Sequence, residues 1–410
     1  MDPGAAVEQP ADAKATAGDA KQVLEHMRGH LHDGGAQIRG MRSLQMFLEF
    51  GRQQQLLVCR AGGHEAVVAA MKAHSSDGAL QCHGALTLTY LVQACPEAQS
   101  AAVGAGAVEG LVSAMRAFGA DAEELQASCA VALAALAQQC RTGAERVCKA
   151  GGVEVLVDSL RQPLSEDADG DRLQRCCECL AVLVSSLEGD LPVSWHAAAE
   201  AVTGAMLLLP SATEVQSAGC WALEEVARKG AADGSEGVCE AGGLSAVASA
   251  MNRHRTAHAV LDAGCKTLRV VAIAKGASSF VREAVQAAAL ACRAAMTRSS
   301  KAPKAAARSL RLACSALEAW AARGPGDAAE AGGTDALLSS MASQPTDLEL
   351  LKSCLRALGC IGGCAPGLQA LRQAGCLDAV QKAVDATSSE EGAGLLRALR
   401  APAADDPSSI

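Results

Sequence analysis

A short phrase that returns on a fixed beat restricts this 410-residue chain more than any other feature. AGGHEAVVAAMKAH, residues 61–74, comes back as AGGVEVLVDSLRQ from Ala150 and as AGGLSAVASAMNRH from Ala241. Aligned on one apolar anchor, the phrase gives Met27, Met71, Met115, Leu160, Met206, Met251, Met296, Met341 and Val384. The steps between anchors are 44, 44, 45, 46, 45, 45, 45 and 43 residues. Nine residues ahead of each anchor stands Gly18, Gly62, Gly106, Gly151, Ala197, Gly242, Ala287, Gly332 or Gly375. A period near 45 residues is the mark of stacked helical repeats, in which no unit can bury its apolar side alone.

The spacing inside one unit agrees. Val108, Leu111, Val112 and Met115 fall at i, i+3, i+4 and i+7, the stripe of a helix that packs on one side. The glycine ahead of the stripe permits a sharp turn, because glycine reaches positive φ without a Cβ penalty. Methionine is unbranched and fills the uneven gap between neighbouring units, so the anchors are core and not a ligand stripe. A further helix follows, as in EVQSAGCWALEEVARKG, with a central Leu44, Leu88, Leu133, Ala181, Leu223, Leu268, Leu317, Leu358 or Leu399. Four residues before that centre comes a small residue in every unit but the last, where Leu395 stands. Small residues on one face let helix axes approach closely. The short stretch before each glycine, such as TGAERVCKAGG, reads as a brief first helix.

The residues VCKAGGVEVLVDSL and VQSAGCWALEEVA resemble the armadillo-repeat signature. The endings VVAAMKAH and LVSAMRAF are similar to those of the cytosolic armadillo repeat-containing protein six family and of the armadillo segment of large leucine-rich-repeat kinases. The expected fold is all-α: a right-handed α-solenoid, an armadillo/HEAT-like superhelix of about nine three-helix repeats over residues 15–400. Residues 1–14 and 401–410 are expected to be disordered tails.

Composition narrows the function. The net charge of -9 offers no global field to recruit phosphates, so neither nucleic acid nor an anionic membrane is expected as partner. There is no apolar run long enough to span a bilayer and no leader-like apolar start. Eighteen cysteines without a leader point to a reducing compartment, the cytoplasm first and the nucleus as the alternative. The charge is uneven: residues 164–190 carry seven acidic side chains against two basic, and residues 277–323 eight basic against two acidic. Both stretches coincide with longer units and read as solvated loops, with partner-docking patches as the alternative.

Candidate chemistry gives way to packing at each point. DADGDRLQRCCE, Asp167 to Glu178, has acids where a calcium loop has them, but Arg172 replaces the glycine of the sharp turn. Cys360 with Cys364, and the Cys176–Cys177–Cys179 cluster, lack the second half of a zinc site. His30, His74 and His254 lie three residues past their anchors, at helix C-termini. No nucleophile elbow, phosphate loop or dinucleotide fingerprint is present, so neither catalysis, a metal nor a cofactor is expected.

In armadillo proteins that carry nuclear cargo, a Trp and Asn ladder lines the concave face of the last helix. Here only Trp221 matches that ladder. The expected partner-binding groove consists of Leu86, Tyr90, Val131, Leu183, Trp221, Glu225 and Arg228. It would make the chain a non-enzymatic scaffold or adaptor for a protein partner, held as a peptide or domain. The alternatives are a regulatory adaptor or co-chaperone clasping a folded domain and, in another class, a metal- or redox-responsive protein.

Overall fold

The computed structural model describes residues 17–119, 122–163, 170–187, 194–298 and 303–401. The expected tails lie outside these residues apart from Ala401, as do residues 164–169, Asp167 among them, and residues 188–190 of the acidic stretch. The described residues form 24 α-helices and one 3-10 helix, with no β-strand among them. None of these helices is long and apolar enough to cross a membrane. They divide into two compact units, one ending at Leu156 and the other beginning at Val157, with Pro163 grouped with the first. Each is a run of stacked helical repeats, so the chain is an α-solenoid in its local architecture.

The first unit opens with helices Ala17–Gly29 and Gly34–Leu48. Two full triplets follow, Arg52–Arg60, Gly63–Ala73 and Gly78–Val92, then Pro96–Ala105, Ala107–Ala117 and Glu123–Ala137. Arg141–Lys149 and the start of Gly152–Arg161 complete it. The second unit continues with Asp171–Ser186, then the pair Trp195–Leu208 and Thr213–Lys229. Its sixth repeat is Ala231–Glu240, Gly243–Arg253 and His258–Val271. The seventh is Lys275–Phe280, Val281–Arg298 and Pro303–Arg323, and the eighth Pro325–Glu330, Gly333–Ser343 and Leu348–Gly362. Ala365–Gln373, Leu377–Thr387 and Glu390–Arg400 end it.

One glycine per repeat decides whether the first and second helices separate. Gly62, Gly106, Gly151, Gly242, Gly332 and Gly375 have φ of +80°, +89°, +81°, +72°, +87° and +63°. A left-handed residue closes one helix and opens the next, and a Cβ there is disfavoured. Repeat seven carries Ala287 instead, and its helix Val281–Arg298 runs through that position unbroken, while in repeat five Ala197 lies in the first turn of Trp195–Leu208. The expectation of three helices per repeat is met over most of the array. Repeats two, three, four, six, eight and nine are α-helical triplets, while the seventh replaces its first helix with a 3-10 turn. Pro96, Pro325 and Pro366 occupy the first turn of first helices, where a missing amide hydrogen is harmless. Third helices at residues 34, 78 and 348 start on an aspartate that accepts from a first-turn amide.

The anchors are core, as their spacing implied: Met27, Met71, Met115, Leu160, Met206, Met251 and Met341 are all buried. Four of them sit on a glycine of the third helix. A Cβ on Gly40, Gly84, Gly219 or Gly264 would stand 2.5–2.7 Å from the sulfur of Met27, Met71, Met206 or Met251. A side chain there would have to displace the methionine, so the glycine lets the anchor seat against the third helix. Two repeats depart from the register read in the sequence. In the ninth, Gly392 faces Val384, and the buried Leu396 four residues on takes the central place that Leu399 was expected to fill. In the fourth, the paired cysteines hid a slip of one residue, described below.

A buried polar clamp joins second and third helices in the early repeats. Gln37 Nε2 donates to the carbonyls of Met27 (2.8 Å) and His30 (2.7 Å). Gln81 does the same to Met71 and His74, and Gln126 to Met115 and Phe118. In the second unit Gln216 donates to Met206 (2.7 Å) and Leu209 (2.9 Å). Arg172, completely buried, reaches the carbonyls of Ser159 and Gln162. The carbonyls at the end of a helix have no partner within it, and one amide satisfies two of them away from water. The arginine that breaks the calcium-loop pattern is thus a structural donor.

Candidate binding hollow

The expected groove residues fall in both units. In the first, Leu86 and Tyr90 lie on Gly78–Val92 and Val131 on Glu123–Ala137. These helices pack together, with Cys82 Sγ 3.4 Å from Ser128 Oγ. Leu86 and Val131 are half-buried and Tyr90 is 37% exposed. Met46, in the same register one repeat earlier, is 69% exposed. Arg42 donates to His83 Nε2 (3.3 Å) on this stretch. Burial, and then the Arg42 charge, hold the imidazole below its ordinary range.

In the second unit Leu183 is completely buried and cannot touch a partner. The reason is register. Cys179 and Leu183 are both core, whereas Glu178 and Val182 are half-buried. The centre of this helix is Leu180, with Cys176 as the small residue beneath it against Ser159, not Ala181 with Cys177. Counting from Leu180 places Glu178 in the row of Trp221, and Val182 where Leu183 was expected.

Trp221 lines a hollow of about 400 Å³ with Ser217 and Ala218 from its own helix. Gln174 and Glu178 face it from Asp171–Ser186, and Asp262 and Lys266 from His258–Val271. Glu214 and Glu224 add two more carboxylates. The lining therefore holds four acids, Glu178, Glu214, Glu224 and Asp262, against the single cation Lys266. Glu178 is steadied by Arg175 (3.1 Å) and by the Gln174 amide (2.9 Å). Glu224 is buried, and its closest cation is Lys266, whose Nζ is 3.9 Å away. Burial raises the Glu224 carboxyl above its ordinary range, and Lys266 draws it back. Glu225, one turn beyond Trp221, is also buried and pairs with the exposed Arg228.

An indole beside carboxylates suits a guest cation. The ring face attracts it electrostatically, and the carboxylates accept charge-assisted hydrogen bonds. Sequence reasoning found Trp221 through the leucine ruler. It missed Glu214 and Asp262, because an acid near the start of a helix reads as a partner of the helix dipole.

The cysteines pack as small apolar groups. Thirteen of the eighteen are buried, and all are unbridged. Burial pushes the Cys220 thiol up to about 12 and Cys176 up to about 11. Such thiols are poor nucleophiles at neutral pH. Among the described residues no group of three or more His, Cys, Asp or Glu is arranged to hold a metal ion. His74 and His254 lie at helix C-termini, where the sequence put them. Their Nε2 atoms meet the carbonyls of Leu31 (2.8 Å) and Pro210 (2.9 Å) one repeat back. Of the basic stretch, Arg282 is paired with Asp327 and Glu330, and Arg311 with Asp347.

No protein-family model matches the chain, and no curated protein matches it. Solved structures do. An engineered protein from the Northeast Structural Genomics Consortium aligns with 94% of this chain and 100% of its own, at 21% identity and a TM-score of 0.60. A second engineered protein from that consortium covers 62% of this chain and 96% of its own, at 24% identity and a TM-score of 0.50. A designed armadillo repeat protein in complex with the peptide (KR)4 covers 62% of this chain and 99% of its own, at 17% identity and a TM-score of 0.50. At these identities the likeness is one of fold, and that fold is an armadillo-like helical repeat.

Proposed function

We propose that this chain is a non-catalytic protein-binding scaffold whose second unit holds a basic stretch of an extended partner segment against Trp221. One observation carries the reading: a half-buried indole shares a hollow with four carboxylates and only one ammonium. A lysine or arginine entering there would lie over the ring with the Glu178 carboxylate beside it. Glu225 and Arg228, which belong to the expected groove, pair with each other on the same helix as Trp221. Leu86, Tyr90 and Val131 give the first unit an apolar strip that we assign to the same partner-binding role, and Val182 replaces Leu183 in the second. The fold neighbour bound to a Lys-Arg peptide supports this reading, as do the repeat endings that resemble two armadillo subfamilies. Eighteen unbridged cysteines fit the reducing conditions of the cytoplasm.

The test is fluorescence anisotropy with a labelled (KR)4 peptide at fixed salt. Trp221→Ala is expected to weaken binding about tenfold while the far-ultraviolet circular dichroism is unchanged. Binding that survives this change in a folded protein refutes the proposal.

A further inference from the structure

We infer that Lys266 is a built-in competitor for the guest cation, an internal ammonium that occupies the charge-binding place of the hollow and sets its affinity. This rests on the reading that the hollow takes a basic side chain. Glu178, Trp221 and Lys266 occupy one register on three consecutive third helices, each two residues before its central Leu180, Leu223 or Leu268. A cation over the indole therefore has an acid on one side and a like charge on the other. Lys266 is also the cation nearest Glu224, at 3.9 Å, the long limit of an ion pair. Its side chain keeps 33% of its exposure, whereas that of Glu224 keeps 10%.

These numbers describe a replaceable partner. The buried carboxylate needs a positive charge, because an unpaired charge away from water is costly. The lysine that supplies it is long, partly solvated and loosely placed, and such a pair contributes little. An entering arginine or lysine takes over the same carboxylate, and Lys266 can swing back to water. Arg269 and Arg228 also act on Glu224 and Glu225 opposes them, but none of these three lines the hollow. Lys266 alone is both in the hollow and on the carboxylate.

Affinity of the full chain for labelled (KR)4 peptide, at one salt concentration and pH 7.5, separates the outcomes. Lys266→Met is expected to tighten binding up to about fivefold. Lys275→Met is the control, since it removes the same charge from a side chain that is 94% exposed and outside the hollow. Lys266→Met should also lower the apo melting temperature and show a larger rise on adding peptide than the wild type. Lys266→Gln takes its place if the methionine variant does not fold. Equal tightening by Lys266→Met and Lys275→Met would reduce the effect to net charge and overturn the inference. Trp221→Ala weakening binding while Lys266→Met leaves it unchanged overturns the inference and keeps the proposed function. Indifference to both substitutions removes the two together.

Discussion

Repeats six and seven are neighbours in the second unit, yet they solve the same packing problem differently. Repeat six breaks its helix at Gly242, with φ of +72°, and seats a fully buried Met251 on Gly264. Repeat seven has Ala287 and Ala313 at those two places. Its second helix runs unbroken over Val281–Arg298, and Met296 is only half-buried. Two methyl groups thus account for a missing hinge and a looser anchor. The beat of a repeat array fixes where helices lie, while the presence of a Cβ fixes how many there are and how closely they touch.

Pushing repeat six toward bulk is the harshest way to break that comparison. Gly264→Val should destabilise by about 3 kcal/mol, because its side chain must displace the Met251 sulfur. Adding Met251→Ala to it should restore part of the loss, and the urea midpoint measures both. Ala313→Gly in repeat seven should cost only about 1 kcal/mol, the helix penalty of glycine. Equal costs for Gly264→Val and Ala313→Gly would mean that the close methionine contact has no energetic meaning.

A middle-sized effect contrasts repeat five with repeat six. Gln216 caps two carbonyls in repeat five, whereas the matching positions in repeats six, seven and eight are the buried Leu261, Leu310 and Leu351. Gln216→Leu should cost about 2 kcal/mol by leaving the Met206 and Leu209 carbonyls unpaired. Faster amide exchange in Trp195–Leu208, with Gly243–Arg253 unaffected, would confirm that the loss is local. The smallest effect is at the hinge. A Cβ on Gly242 meets nothing within 4 Å, so Gly242→Ala should cost only the left-handed backbone penalty, about 1 kcal/mol. Hydrogen exchange across residues 240–244 shows whether the two helices then fuse, as they do at Ala287.

The periodicity of the anchors made most of this fold legible, because burial imposes it on every repeat alike. The unbroken helix of repeat seven was less so, since it rests on Ala287, a single departure that the beat itself averages away. The register of the fourth repeat was hidden by Cys176 and Cys177, either of which can serve as the small residue. That one-residue ambiguity rotates a helix by about 100° and exchanged Val182 for Leu183. Trp221 was legible because an indole is conspicuous at a fixed register. The acids around it were not, because the hollow arises only when three helices lie side by side.

The glutamine clamps also say where such a chain can be cut and rejoined. Gln37, Gln81, Gln126 and Gln216 each tie together two successive helices through residues only ten or eleven apart in sequence. The hairpin they close keeps two of its helix-end carbonyls paired wherever it is moved. A graft that begins ahead of the second helix and ends after the third carries the clamp intact. One that begins between the two helices leaves an amide without carbonyls on one side of the seam and carbonyls without an amide on the other.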